Sequence, residues 1–386
     1  MNNGGARKKT IAVITGSRGE WGYIRPVLRL IKQDRELDYA IIATNMHLLP
    51  EFGMSVREIE SDGFRVEDRI YMTFDGYTAA TMTKSLACFL LELPTALQRI
   101  KPHAILLAGD RGEQLMGAIA GVHLGIPVAH IQAGELSGNV DGIVRHSITK
   151  LAHIHFAANQ EFAERVRRMG EQEFRIHVTG APLVDELVKG QVTPREVLRL
   201  RYRLNESDKL ILAVQHPVTE EESAAGEQVS ETLNALIELG WPTIFVYPNS
   251  DAGSELIRTK LNTLKRPQIR FFRNLKRADY LGLMQMANVM IGNSSSGIME
   301  APTLGTPCVN IGRRQNGRPQ AENVINAGYC SGEILKGIRR ATSSDFVSRA
   351  KGSTNPYGDG SASEKIVYIL KNLEVTEALL HKEMTY

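Results

Sequence analysis

The sequence predicts an α/β protein made of two Rossmann-like domains, each a parallel sheet covered by helices. Three observations carry this reading. Short apolar, β-branched runs alternate with helix-period segments almost throughout the chain, the pattern of a sheet buried on both faces. The alternation restarts after a charged, poorly apolar stretch at residues 192–209. A length of 386 residues also exceeds one ordinary core, so about two domains of roughly 150–200 residues each are expected.

Strands of the first half are expected at residues 10–15, 39–43, 104–108, 128–131, 154–158 and 176–179. Between the first two, Ile24, Val27, Leu28 and Ile31 recur at helical spacing and mark one buried face. Residues 72–97 read as an apolar helical region through Met82, Leu86, Phe89 and Leu90; core packing and a subunit interface account for it equally. In the second half, strands are expected at 210–214, 243–247, 269–272, 288–291 and 307–311. The domains are therefore placed at 7–182 and 205–362, with residues 363–386 as the segment expected to complete the first.

Composition excludes several classes. An apolar fraction of 42% and a charged fraction of 23% are those of a soluble globular protein. The net charge is +3 with no block of five like charges, so no nucleic-acid partner is expected. No apolar run reaches the roughly 18–20 residues of a membrane span, and the polar start MNNGGARKKT lacks the apolar core of a secretion signal. Cys88, Cys308 and Cys330 are scattered and odd in number. They give neither a disulfide framework nor a zinc spacing, which suits a cytoplasmic location.

Ligands of open α/β sheets sit beyond the carboxyl ends of the strands, so the turns there hold the candidate site. Residues 105–150 bring Asp110, Glu113, Glu135 and Asp141 to one rim with Arg111, Arg145 and His146. Acids beside fixed cations suit proton transfer on an anionic substrate. The first turn, TGSRGEWGY at 15–23, is not GxGxxG, which disfavours a dinucleotide. Its helix-start N–H groups and Arg18 would attract phosphate, unless it is a plain βα turn.

In the second half, IGNSSSGIME at 291–300 offers hydroxyls and N–H groups at a helix start, through Ser294, Ser295 and Gly297, with Glu300 in the first turns to accept from sugar hydroxyls. One serine is explained by capping; three exceed a cap's needs. GRRQNGR at 312–318 supplies Arg314 or Arg318 for a diphosphate. QHPVT at 215–219 places His216 after a buried strand, for substrate contact or acid–base work, and YPNSDAGS at 247–254 adds Asn249 and Asp251. His153 and His155 share a strand face, but without a third ligand a structural role is expected and no metal is assigned.

Taken in order, GDR, HIQAGELSG, DGIVRHSITKLAHIHF, QHPVT, YPNSDAGS, GNSSSGIMEAP and GRRQNGR resemble the hydrolysing UDP-N-acetylglucosamine 2-epimerases, from residue 10 to about residue 360. The resemblance implies a glycosyltransferase-B-like architecture, with two Rossmann-like domains facing a central cleft that holds a nucleotide sugar. It implies conversion of UDP-GlcNAc and water to N-acetylmannosamine and UDP, without metal or nicotinamide cofactor. The implied partner is a small-molecule UDP-amino sugar, and a homo-oligomer, dimer or tetramer, is the expected state. By position, Arg18 and Arg111 would meet phosphates or sugar. His216, Asn249, Ser294, Ser295, Glu300 and Arg314 would bind UDP. Asp110 and Asp141 fall on family acids.

Two departures stand out. The family's HIEGGE segment is HIQAGE here, so Gln132 occupies the position of a glutamate implicated in proton transfer. An amide has no titratable proton; either Glu135 or Asp141 is the base, or the sugar needs an amide contact. Relatives acting on the UDP-linked diacetamido trideoxy sugar, UDP-N,N'-diacetylbacillosamine, share this scaffold. Gly22 also replaces a family serine. The rival readings are a non-hydrolysing 2-epimerase, a glycosyltransferase and a non-catalytic nucleotide-sugar sensor.

Overall fold

The computed structural model describes residues 8–75, 78–137, 140–189, 192–206, 209–248 and 251–385. The chain divides into two compact units. The first takes residues up to Glu135, residues 141–185 and everything from Tyr357 onward; the second takes residues 136–140 and 186–356.

Seven parallel strands form the sheet of the first unit: β1 (Lys9–Thr15), β2 (Leu37–Thr44), β3 (Val66–Ile70), β4 (Ala104–Ala108), β5 (Val128–Ile131), β6 (Ile154–Ala157) and β7 (Ile176–Val178), in the order β3-β2-β1-β4-β5-β6-β7. The second unit repeats the plan with β8 (Ile211–Val214), β9 (Thr243–Val246), β10 (Ile269–Phe272), β11 (Val289–Gly292), β12 (Cys308–Ile311) and β13 (Val324–Ala327), in the order β10-β9-β8-β11-β12-β13. Both are doubly wound. Strand order reverses between β1 and β4 and between β8 and β11, and such switch points open the crevice in which ligands of this architecture bind.

The strands that read as solid apolar runs are the central ones. Every residue of β4, β5, β8 and β12 is buried, because helices cover both faces. Two strands, β3 and β13, were not expected. Both lie at sheet edges, where one flank meets solvent and an apolar run is not required; β3 reads VEDRI with its ends buried and its middle partly exposed. The apolar stretch at 72–97 is helical only from Ala79, in a helix running to Ile100 and capped by Thr78. Phe89, Leu93 and Leu97 face the core and Leu91 faces outward. Core packing thus explains Phe89, Leu93 and Leu97, and leaves Leu91 at the surface.

His153 and His155 are structural. His155 Nε2 meets Glu171 at 2.9 Å and His153 Nδ1 accepts from the Val128 N–H at 3.0 Å. Glu171 also pairs with Lys150 at 2.8 Å and with Lys382 at 2.6 Å. Among the described residues, no group of three or more His, Cys, Asp or Glu could hold a metal, and no helix is long and apolar enough to cross a membrane.

The end of the chain is fastened to the first unit. Arg175 donates to the carbonyls of Ala378 and Leu379, each at 2.7 Å. Lys382 donates to the carbonyls of Lys150 and Ala152, at 2.8 and 2.7 Å, and so closes the end of the helix Asp141–Leu151. Cations are favoured at that end of a helix.

Candidate active site

At the switch point of the first unit, Gln114 ties the ends of two strands together. Its amide donates to the Ile14 carbonyl and accepts from the Ala108 N–H, both at 3.1 Å. Beyond them the turn after β1 enters the helix Arg18–Gln33. A capping box closes this turn. The Gly16 and Ser17 N–H groups donate to Glu20 Oε2, at 2.5 and 2.9 Å, and the Ser17 hydroxyl accepts from the Glu20 N–H. This capping box engages the Gly16, Ser17 and Glu20 N–H groups, as a plain βα turn would. Arg18, partly buried with its pKa lowered by burial, remains as the cation of this turn.

Glu20 lies deep beside Glu113, which accepts from Asn45 and stands 3.6 Å from Arg111 Nε. Burial, reinforced by the charge of Glu113, pushes the Glu20 carboxyl up to about 8, so it keeps a proton that the unfolded chain has released. Folding stability therefore falls as pH rises from about 4.5 to about 8. Glu20→Gln keeps an acceptor for the two N–H groups. It should stabilise the protein relative to wild type by on the order of 2–4 kcal/mol near pH 9, with little effect near pH 5. Denaturant midpoints at the two pH values check this; an equal difference at both would contradict it.

The turns after β4 and β5 gather the acids. Arg145, fully buried, donates to Asp110, lies 3.8 Å from Glu135 Oε2 and reaches the Gln132 carbonyl at 3.3 Å. Gln132 in turn donates through Nε2 to the Tyr23 hydroxyl at 2.7 Å and to Glu135 at 2.9 Å. Asp110, Gln132, Glu135, Arg145 and Tyr23 thus form one polar cluster. Asp141 opens the helix Asp141–Leu151, one turn before Arg145 on the same helix. His146 stays neutral at neutral pH, because burial and the neighbouring Arg145 and Arg165 lower its pKa.

His130, on β5, was not singled out by sequence. Its Nε2 meets the Gly109 carbonyl at 2.8 Å, and a carbonyl only accepts, so that nitrogen carries the proton. Burial holds the ring down to about 3. This neutral donor fixes Gly109, which has φ of 91°, immediately before Asp110.

At the switch point of the second unit, Asn293 is the hub. Its side chain accepts from the His216 N–H at 2.7 Å and donates to the His216 carbonyl at 2.8 Å. Its own carbonyl accepts from Gln315 at 2.8 Å and Arg314 at 3.3 Å. The turns after β8, β11 and β12 are thereby joined. Gly292 before it has φ of 117°, and a Cβ there would lie 2.0 Å from the Val214 carbonyl oxygen, so only glycine lets the two strand ends approach.

The three arginines of the last turn separate. Arg313 pairs with Glu221, whose other oxygen accepts from Tyr329 at 2.8 Å. Arg318 donates to the Leu136 carbonyl at 3.0 Å. Arg314 lies over Asn293 and 3.9 Å from Asp251, which leaves it as the arginine of this rim.

The helix after β11 is a single turn, Ser296–Met299, not the longer helix expected. Its dipole is correspondingly small, and the hydroxyls and N–H groups of Ser294, Ser295 and Ser296 carry the polarity. A Cβ on Gly297 would lie 2.4 Å from Cys308 Sγ, so packing against β12 accounts for that glycine. Glu300 ends the turn, buried, in an ion pair with Arg277, which also lies 3.6 Å from Glu186. Asn249 falls outside the described residues.

The family model described as UDP-N-acetylglucosamine 2-epimerase matches residues 29–371. The chain belongs to this family. It is 36% identical over 379 residues, 98% of this chain and 100% of the other, to the UDP-N,N'-diacetylbacillosamine 2-epimerase (hydrolyzing) of Legionella pneumophila. It is 32% identical to the UDP-N-acetylglucosamine 2-epimerase of Neisseria meningitidis serogroup B, over 87% of this chain and 88% of the other. Its fold matches the crystal structure of UDP-GlcNAc 2-epimerase from Neisseria meningitidis bound to UDP-GlcNAc, with a TM-score of 0.80 at 18% identity, covering 94% of this chain and 99% of that one. The family's glycosyltransferase-B-like fold is thus that of the two doubly wound sheets described above.

Proposed function

We propose that the protein is a hydrolysing UDP-amino-sugar 2-epimerase, which converts UDP-N-acetylglucosamine and water to N-acetylmannosamine and UDP. The buried cluster of Asp110, Arg145, Glu135 and Gln132 at the ends of β4 and β5 carries this reading. The sugar C2 proton is weakly acidic, so its loss must accompany departure of UDP from C1. Asp110, Asp141 and Glu135 supply carboxylates to take and return protons. Arg314, Arg18, Arg111 and the serine turn supply positive charge and donors as the diphosphate leaves, with Glu300 and His216 holding the nucleotide. Elimination gives a 2-acetamidoglycal. Water then adds at C1 while a proton is delivered to C2 from the opposite face, which inverts that centre and frees the sugar.

The same reaction on UDP-N,N'-diacetylbacillosamine is the second reading, favoured by the 36% identity with the Legionella pneumophila enzyme and by the amide at position 132. Either product would feed synthesis of a sialic- or legionaminic-type acid in the cytoplasm, a setting that the free cysteines fit.

The deciding measurement is NMR of the products formed from each UDP-sugar in D2O. We expect free reducing sugar, inverted at C2 and carrying deuterium there, with UDP released by water alone. A UDP-linked product would indicate a non-hydrolysing epimerase, and UDP release only with an added acceptor would indicate a glycosyltransferase.

A further inference from the structure

Gln132 follows β5 with a backbone φ of 69°, in the left-handed region that residues other than glycine seldom enter. Such a conformation persists where the surroundings over-determine it, and it collects at functional sites. Two side chains over-determine it here, the Tyr23 hydroxyl and the Glu135 carboxylate, both bonded to Gln132 Nε2. The NH2 end of the amide faces both neighbours, donating to the hydroxyl and to the carboxylate. Both amide protons are thereby used, and Oε1 is turned toward Gly109, where a Cβ would lie 3.3 Å from it. Because the Tyr23 hydroxyl accepts from the amide, its own proton is directed elsewhere. A carboxylate at 132 would have no proton for either neighbour and would stand against Glu135 in a buried site.

We propose that Gln132 is a positioning residue that holds Glu135 as the ionised base of the reaction, with Tyr23 as the second anchor of the amide. The inference rests on the proposed epimerase reading, in which a carboxylate removes the C2 proton. The other charged and titratable groups around Glu135 come from several elements. They are Arg145, at 3.8 Å, with Asp110 on its far side; Arg165, which donates to the Gly134 carbonyl at 2.5 Å; and His130 and His146 near Arg145.

The test is the pH dependence of kcat/KM for wild type, Gln132→Glu and Gln132→Ala on the substrate that wild type turns over. In Gln132→Glu the two carboxyls share one proton, and the singly protonated pair has the charge of the native Gln–Glu pair. Activity should survive in that form and fall about tenfold per pH unit once the second proton leaves, a new alkaline limb absent from wild type. Gln132→Ala should lose about 10- to 100-fold in kcat with no new limb. A wild-type profile in Gln132→Glu, or a rate that rises above wild type at alkaline pH, would overturn the proposal, since the base would then sit at 132. If Gln132→Glu does not fold, Tyr23→Phe replaces it. A loss of about tenfold in kcat with KM within about threefold is then expected, and wild-type kcat would overturn the proposal equally. Failure of the epimerase reading is distinguishable, because wild type would then leave no deuterium at C2.

Discussion

Asp110→Asn should lower kcat by about 10²–10⁴-fold and leave the affinity for UDP within about threefold. Asparagine is the informative replacement. Arg145 is fully buried and donates to Asp110, so alanine would strand a charge in the core and confuse lost chemistry with lost folding. Asparagine keeps an acceptor toward Arg145 while removing the ability to exchange a proton. Asp141→Asn is the companion variant, at the half-buried start of the helix that carries Arg145. UDP release in a coupled assay, with calorimetric titration of UDP, separates turnover from binding. Wild-type turnover in both variants would refute the assignment of these acids.

Arg145→Leu should strongly destabilise the first unit. The guanidinium serves Asp110, Glu135 and the Gln132 carbonyl, and its removal takes this cation from the fully buried Glu135 and the half-buried Asp110. Breaking such an arrangement from one side costs about 3–5 kcal/mol, which corresponds to roughly 10 °C in the unfolding midpoint for a unit of this size. Adding Asp110→Asn in the same chain should recover part of that loss, because it removes one of the stranded charges, and the double variant should remain inactive. Thermal unfolding followed by circular dichroism measures both; a midpoint within about 2 °C of wild type in Arg145→Leu would contradict the argument.

The parts of the fold that were legible in the sequence were those where burial demands a run of apolar residues. Ala104–Ala108 and Val128–Ile131 were read to the residue, since a central parallel strand has no polar face. The edge strands β3 and β13 escaped for the converse reason. At the rims, the turns were legible because they follow such strands, but the partners across space were not. Tyr23 meets Gln132 across 109 positions of sequence, and no local pattern announces that contact. The capping box is present as the Ser17–Glu20 spacing, but the glycines and Arg18 around it suit a phosphate as well, and only the fold shows where the Glu20 carboxyl group goes. The three arginines of residues 312–318 look alike in a string, and only their acidic neighbours, Glu221 for Arg313 and Asp251 for Arg314, tell them apart.

The fastening of residues 375–385 onto the first unit bears on the order in which its stretches can come together. Most of the second unit is one run, residues 186–356, whereas the first is assembled from three stretches and is incomplete until residues 357–386 dock. Until Lys382 reaches the end of the helix that starts with Asp141, that helix lacks its terminal clasp. Loss of that contact should therefore loosen, from its other end, the helix that carries Asp141 and Arg145, a remote cut with a local effect.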